Sequence, residues 1–161
     1  VIRKFLPLVS ILTFLAACIP QSISNKSEAF PVTTPSQQTS TLPIDIDHEG
    51  CFWYGTSNLW TSLPTNGIWQ ELSKDESGYV QKTVFWREGY VALNEPNPAL
   101  TVSGRRLDAS APTFSSSDAT HGWDETGDFM LMGISIPTEG CWEITAEYQD
   151  TTLTYVIQVT P

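Results

Sequence analysis

Pro137-Thr-Glu-Gly-Cys-Trp-Glu-Ile-Thr-Ala-Glu-Tyr-Gln-Asp-Thr-Thr-Leu-Thr-Tyr-Val-Ile-Gln-Val159 decides the architecture. Trp142, Ile144, Ala146 and Tyr148 alternate with Cys141, Glu143, Thr145 and Glu147, and beyond a short polar turn Leu153, Tyr155, Ile157 and Val159 alternate in the same way. A period of two with one apolar side predicts a half-buried β-hairpin. A lone hairpin is only marginally stable in water, so this face needs a second apolar layer from the preceding strands. The hairpin thus predicts a sandwich.

Upstream, from about His48, strand-like segments follow one another between turns. Phe52-Trp-Tyr-Gly55, Leu59-Trp-Thr-Ser-Leu63 and the restart at Ile68 are short strands, with turn chemistry at Pro64-Thr-Asn-Gly67. After the polar turn Lys74-Asp-Glu-Ser-Gly78, Tyr79 to Arg87 places Val80, Val84 and Trp86 on one face, and Leu100 and Val102 mark the next strand. Phe129-Met-Leu-Met-Gly-Ile-Ser-Ile-Pro137 is apolar on both faces, which predicts a central strand or one whose outer face is covered. Asp108 to Asp128 lacks strand patterning and reads either as a long functional loop or as a connection between sheets. Seven or eight short strands with no amphipathic helix predict an all-β antiparallel β-sandwich over residues 48–161.

The formal net charge is −10, from 8 basic and 18 acidic residues. Such a surface repels phosphate backbones, and no basic stripe offsets it, so no nucleic-acid partner is expected. The bland account of the acidity is solubility.

Residues 1–17 have a basic start at Arg3 and Lys4 followed by an apolar run from Phe5 to Ala17, too short to span a bilayer comfortably. This is the pattern of a secretory signal peptide. Leu15-Ala16-Ala17-Cys18 resembles the lipobox of bacterial lipoproteins. That resemblance implies diacylglyceryl transfer to the Cys18 thiol, cleavage before it and acylation of the new amino terminus. Two or three acyl chains, at roughly 0.8 kcal/mol per buried methylene, anchor a protein stably. The expected location is the bacterial cell envelope, lipid-anchored to a membrane and facing outside the cytoplasm. Residues 18–47, rich in Ser, Thr, Pro and Gln after the lipidated cysteine, cannot bury enough apolar surface to fold and read as a disordered tether. A coil of about 30 residues reaches on the order of 30 Å.

Phe52-Trp-Tyr-Gly55, Leu59-Trp-Thr61, Phe85-Trp-Arg87, Gly104-Arg-Arg-Leu-Asp108, Pro137-Thr-Glu-Gly-Cys-Trp-Glu-Ile-Thr145 and Leu153-Thr-Tyr-Val156 together resemble a group of uncharacterised bacterial lipoproteins with an immunoglobulin-like domain. The resemblance implies an immunoglobulin-like sandwich and an envelope location. It supplies no catalytic residue and no cofactor.

Lipidation would consume Cys18, leaving Cys51 and Cys141 as an even pair in an exported domain. A disulfide between them would close a loop of about 90 residues and stabilise by about 4 kcal/mol. Cys141 falls opposite the Trp142 face, so the bridge would be a staple near a sheet edge. The alternative is two reduced, separately buried thiols.

The chain has no Gly-x-Ser-x-Gly elbow, HExxH, paired Cys-x-x-Cys or phosphate-cradling Gly loop, and only His48 and His121 as imidazoles. No catalytic residue is assigned. Asp118, His121, Asp124, Glu125 and Asp128 could gather around a metal ion but fit no EF-hand spacing, and the plainer reading is a solvated acidic loop. A metal-dependent hydrolase is therefore the weakest reading, and no metal ligand is assigned. Arg105 and Arg106 could pair with carboxylates or bind an anion. Trp123, between Gly122 and Asp124, is the tryptophan most expected to be exposed. Asp118, His121, Trp123, Asp124 and Asp128 form the candidate binding loop of a non-enzymatic interaction module, whose unidentified ligand is an envelope protein or another envelope component. The alternative is a carbohydrate-binding module that stacks sugars on exposed tryptophan.

Overall fold

The computed structural model describes residues 30–37, 50–56, 58–124 and 127–161. Among them are eleven strands and no α-helix. They are β1 (Cys51–Gly55), β2 (Trp60–Pro64), β3 (Ile68–Trp69), β4 (Ser73–Asp75), β5 (Gly78–Trp86), β6 (Thr101–Arg106), β7 (Phe114–Ser116), β8 (Thr120–Asp124), β9 (Gly127–Ile136), β10 (Gly140–Tyr148) and β11 (Thr151–Val159). One sheet has the order β1-β2-β5-β9-β8, with β4 paired to β5, and the other has β3-β11-β10-β6-β7. The expected strand number was seven or eight; the excess comes from β4 and β7, at three residues too short to carry a readable alternation, and from β8, a largely exposed polar strand.

β2, β5, β9 and β8 stand in the A-B-E-D order of an immunoglobulin sandwich, and β11, β10, β6 and β7 in the order G-F-C-C′. The pairing is antiparallel except where Ile68 and Trp69 of β3 run parallel to Gln158 and Val159. The carboxyl-terminal hairpin registers Trp142 with Ile157, Ile144 with Tyr155 and Ala146 with Leu153. All six side chains are buried. They meet Leu59, Leu63, Phe85, Met130, Met132, Ile134 and Ile136 of the facing sheet in one core. The Trp142 indole is fully buried without an orphaned donor, because Nε1 donates to Thr138 O at 2.9 Å.

β5 turns its Val84–Trp86 face outward and sends Tyr79, Thr83 and Phe85 into the core. Thr83 is tolerated there because its hydroxyl donates to Met132 O at 3.1 Å. On the outer face Trp53, Trp60 and Trp86 form a second buried cluster with Val84 and Phe129, Trp60 and Trp86 meeting edge to face at 5.5 Å. This is the cover that the two-sided apolarity of β9 required.

Composition assigned all of 18–47 to a tether, yet Phe30–Gln37 lies against the domain. Thr33 N donates to Val156 O at 2.8 Å, and Val156 N donates to Thr33 Oγ1 at 2.8 Å. Thr33 thereby satisfies a stretch of the β11 edge that β3 leaves unpaired, and it is buried. Val32 packs so closely over Gly67 that a Cβ there would meet its Cγ2 at 2.5 Å, and Gly67 already has φ 68°. Cys18 and the expected signal peptide lie outside the described residues, as does His48.

The Cys51–Cys141 disulfide is absent: both thiols are free. Cys51 is half-buried on β1 at the margin of one sheet, and Cys141 is buried on β10 in the interior of the other. Even parity in the sequence carries no information about which layer each cysteine enters. Burial, reinforced by the nearby Asp108 carboxylate, pushes the Cys141 thiol above its ordinary pKa.

Two outcomes follow. Thr33→Val leaves the Val156 N–H without its acceptor and should lower unfolding free energy by about 1–3 kcal/mol, read as a fall in Tm. Intact mass with and without reductant should be the same, and Cys51 should alkylate roughly tenfold faster than Cys141 in the folded domain, the difference vanishing in denaturant.

Candidate functional site

The span 108–128, expected either as a long loop or as a connection between sheets, carries the chain from one sheet to the other and forms two edge strands of opposite sheets, β7 and β8, on the way. Patterning failed there because both are edge strands, with exposed polar residues along much of their length. The long irregular segment of the domain is 87–100, between β5 and β6, the position of the B–C loop.

β8 pairs with β9 so that His121 faces Met130 and Trp123 faces Asp128. Cross-strand partners share a face. Met130 is in the core, so His121, Trp123 and Asp128 belong to the same inward face, carried past the end of the core. Gly122 points the other way, beneath the Phe129 ring; a Cβ there would lie 2.3 Å from Phe129 Cε2. That glycine lets the β8–β9 ribbon pack flat against the outer aromatic cluster.

Segment 87–100 closes over the projecting face and is pinned to it by hydrogen bonds. Ala92 N donates to Asp128 Oδ2 at 2.7 Å, and His121 Nδ1 donates to Pro96 O at 2.9 Å. Glu95 accepts from Tyr148 Oη and from Ala99 N, while its carbonyl accepts from Tyr90 Oη at 2.9 Å. Burial first, then the Glu95 carboxylate, pushes the Tyr148 phenol up to about 12, so it keeps its proton and this bond at neutral pH. Tyr90 is also raised, by burial and then by Glu95 and Asp128.

Ala92, Leu93, Pro96, His121, Trp123 and Asp128 line an open notch of about 390 Å³. Leu93 is 94% exposed and Trp123 78%, with Val91 beside Ala92 at 42%. The other five tryptophans are buried, so the expectation for Trp123 holds. Covering the indole and the leucine would remove on the order of 250 Å² from water, roughly 6 kcal/mol before the losses of association. Two further hollows, of about 340 and 430 Å³, are lined largely by small hydroxyl and glycine residues around Phe114 and present no exposed indole.

The structure brings together three of the five candidate binding residues: His121, Trp123 and Asp128. Asp118 is exposed between β7 and β8, and Asp124 is exposed at the end of β8, neither lining the notch. Val91, Leu93 and Pro96 were missed; Tyr90-Val-Ala-Leu93 beside the turn Asn94-Glu-Pro-Asn-Pro98 carries an apolar run that no strand absorbs, and that was the available signal. Among the described residues no three His, Cys, Asp or Glu side chains converge as metal ligands, and Glu125 lies outside that set.

Arg105 and Arg106 hold carboxylates. Arg105 Nε lies 2.7 Å from Glu143 Oε1 and Arg106 Nε lies 2.6 Å from Asp108 Oδ1. The Arg106 hydrogen bond, helped by the backbone at Cys141, holds the Asp108 carboxyl below its ordinary pKa. Any stability from this pair is present above the ordinary aspartate pKa and lost as pH falls through the lowered one.

No family model, curated protein or solved structure matches this chain.

Proposed function

We propose that this protein is a lipid-anchored bacterial cell-envelope lipoprotein whose β-sandwich is a non-enzymatic binding module, engaging another envelope component through the notch between Leu93 and Trp123. The observation that carries the reading is a leucine on a loop fixed by hydrogen bonds and an indole on the adjoining strand β8, both left exposed. A fixed loop presents its apolar side chains without a large ordering cost on association, and exposed aromatic anchors of this kind dominate interfaces. The membrane partner would be reached through acyl chains on Cys18, whose lipobox-like context supports the anchor. Because Thr33 is fastened to β11, the spacer is the chain from Cys18 to Thr33, and a coil of that length reaches roughly 20 Å. The domain would therefore stay nearer its membrane than composition alone implies.

A carbohydrate-binding module is the second reading, favoured by the single exposed indole beside polar acceptors. A metal-dependent hydrolase has no such observation behind it.

Cys18→Ser should move the protein from the membrane to the soluble fraction; unchanged membrane association would overturn the anchor. Trp123→Ala, at an exposed site, should leave the unfolding free energy within about 1 kcal/mol of wild type. It should abolish recovery of the protein's envelope partner in a pull-down. Retention on insoluble glycans, lost in the same variant, would instead favour the carbohydrate reading.

A further inference from the structure

We infer that the Trp123 notch receives a basic side chain, arginine or lysine, from an extended segment of a partner protein. The inference rests on the binding-module reading and names the chemistry of its partner.

The lining is one-sided in charge. His121 Nδ1 carries the proton of its bond to Pro96 O, because a carbonyl oxygen can only accept, so that in the neutral tautomer Nε2 is an acceptor. Asp128 uses Oδ2 to hold Ala92 N, and its second oxygen remains as another acceptor of the notch. The remaining walls are the indole, Leu93 and Pro96. The site thus combines a π face with acceptors and a carboxylate, and no lysine or arginine lines it.

Among the described cations Lys82 is exposed on β5 and does not line the notch, and the other four are engaged elsewhere. Lys74 sits 4.4 Å over the Tyr79 ring, Arg87 sits 5.4 Å from the Tyr148 ring beside Asp150, and Arg105 and Arg106 pair with Glu143 and Asp108. In a chain of net charge −10, the exposed indole is left to an external cation. A guanidinium or ammonium group stacked on Trp123 is attracted by the ring quadrupole and by the Asp128 charge together. An acidic ligand would meet Asp128 with nothing to neutralise it. Leu93, almost wholly exposed on the rim, suits an apolar neighbour of the basic residue in the partner segment.

The test titrates the full chain with a capped six-residue peptide alternating arginine with leucine, with the same peptide carrying glutamate for arginine, and with an N-acetylglucosamine oligomer. The Trp123 indole N–H resonance, assigned through Trp123→Phe, reports occupancy. The arginine peptide should shift that resonance saturably, and the glutamate peptide and the sugar should not. Trp123→Ala should weaken binding about five- to thirtyfold. Asp128→Asn keeps an oxygen for Ala92 N while removing the charge, so it should weaken binding several-fold and flatten its dependence on salt. Equal binding of the glutamate peptide, binding of the sugar alone, or arginine-peptide affinity unchanged in both variants would overturn the inference. If the arginine peptide fails while Trp123→Ala still abolishes partner recovery from the envelope, the basic-ligand inference falls and the binding-module reading stands.

Discussion

Everything in this fold depends on two inward faces keeping water from each other. β10 lies inside its sheet, hydrogen-bonded to β11 on one side and β6 on the other, and contributes Trp142, Ile144, Ala146 and Tyr148 to a core completed by β5 and β9. Side chains of this size contribute roughly 1.5–3 kcal/mol each when buried. Polar groups enter that layer mainly where a partner awaits them. Thr61 and Thr83 give their hydroxyl protons to Val84 O and Met132 O, and Trp142 gives its own to Thr138 O. Tyr155 is the exception. Its hydroxyl is buried without a hydrogen bond of acceptable geometry, and burial raises its pKa far above the ordinary value, only partly opposed by the nearby Thr61 side chain.

The same constraint creates the notch. β8 and β9 continue beyond the facing sheet, so Trp123 and Asp128 keep the inward parity of their strands after the core beneath them has ended. Segment 87–100 folds into that space and is tied to both layers, through Asp128 and His121 on one side and Tyr148 on the other. Tyr148 is the last inward residue of β10 and the anchor of Glu95, which makes the core and the site mechanically continuous. The exposed apolar rim is therefore held by regular structure.

A second apolar layer explains the richness in tryptophan. Trp53, Trp60 and Trp86 bury one another on the outer face of the β1-β2-β5-β9-β8 sheet, with Phe129 laid across Gly122 at its margin. Five tryptophans are consumed by the two layers, and the sixth stands at the notch.

The sandwich was legible because period-two alternation over 141–159 leaves one way to bury its apolar side, and the exposure of Trp123 was legible from its small and charged neighbours. The interior side of β5 was not, since both of its faces carry aromatics and parity alone cannot say which layer lies inside. Nor could composition reveal that Thr33 fills a gap on the β11 edge, a role set by an unpaired backbone group more than a hundred residues away in the chain. Cysteine parity suggested a bridge, but Cys51 and Cys141 fold into different sheets and both thiols are free. Local alternation is a property of the chain itself and determines strands. Which strand ends outrun the core, and so which side chains remain to meet a ligand, is decided only when the two sheets of unequal extent are stacked.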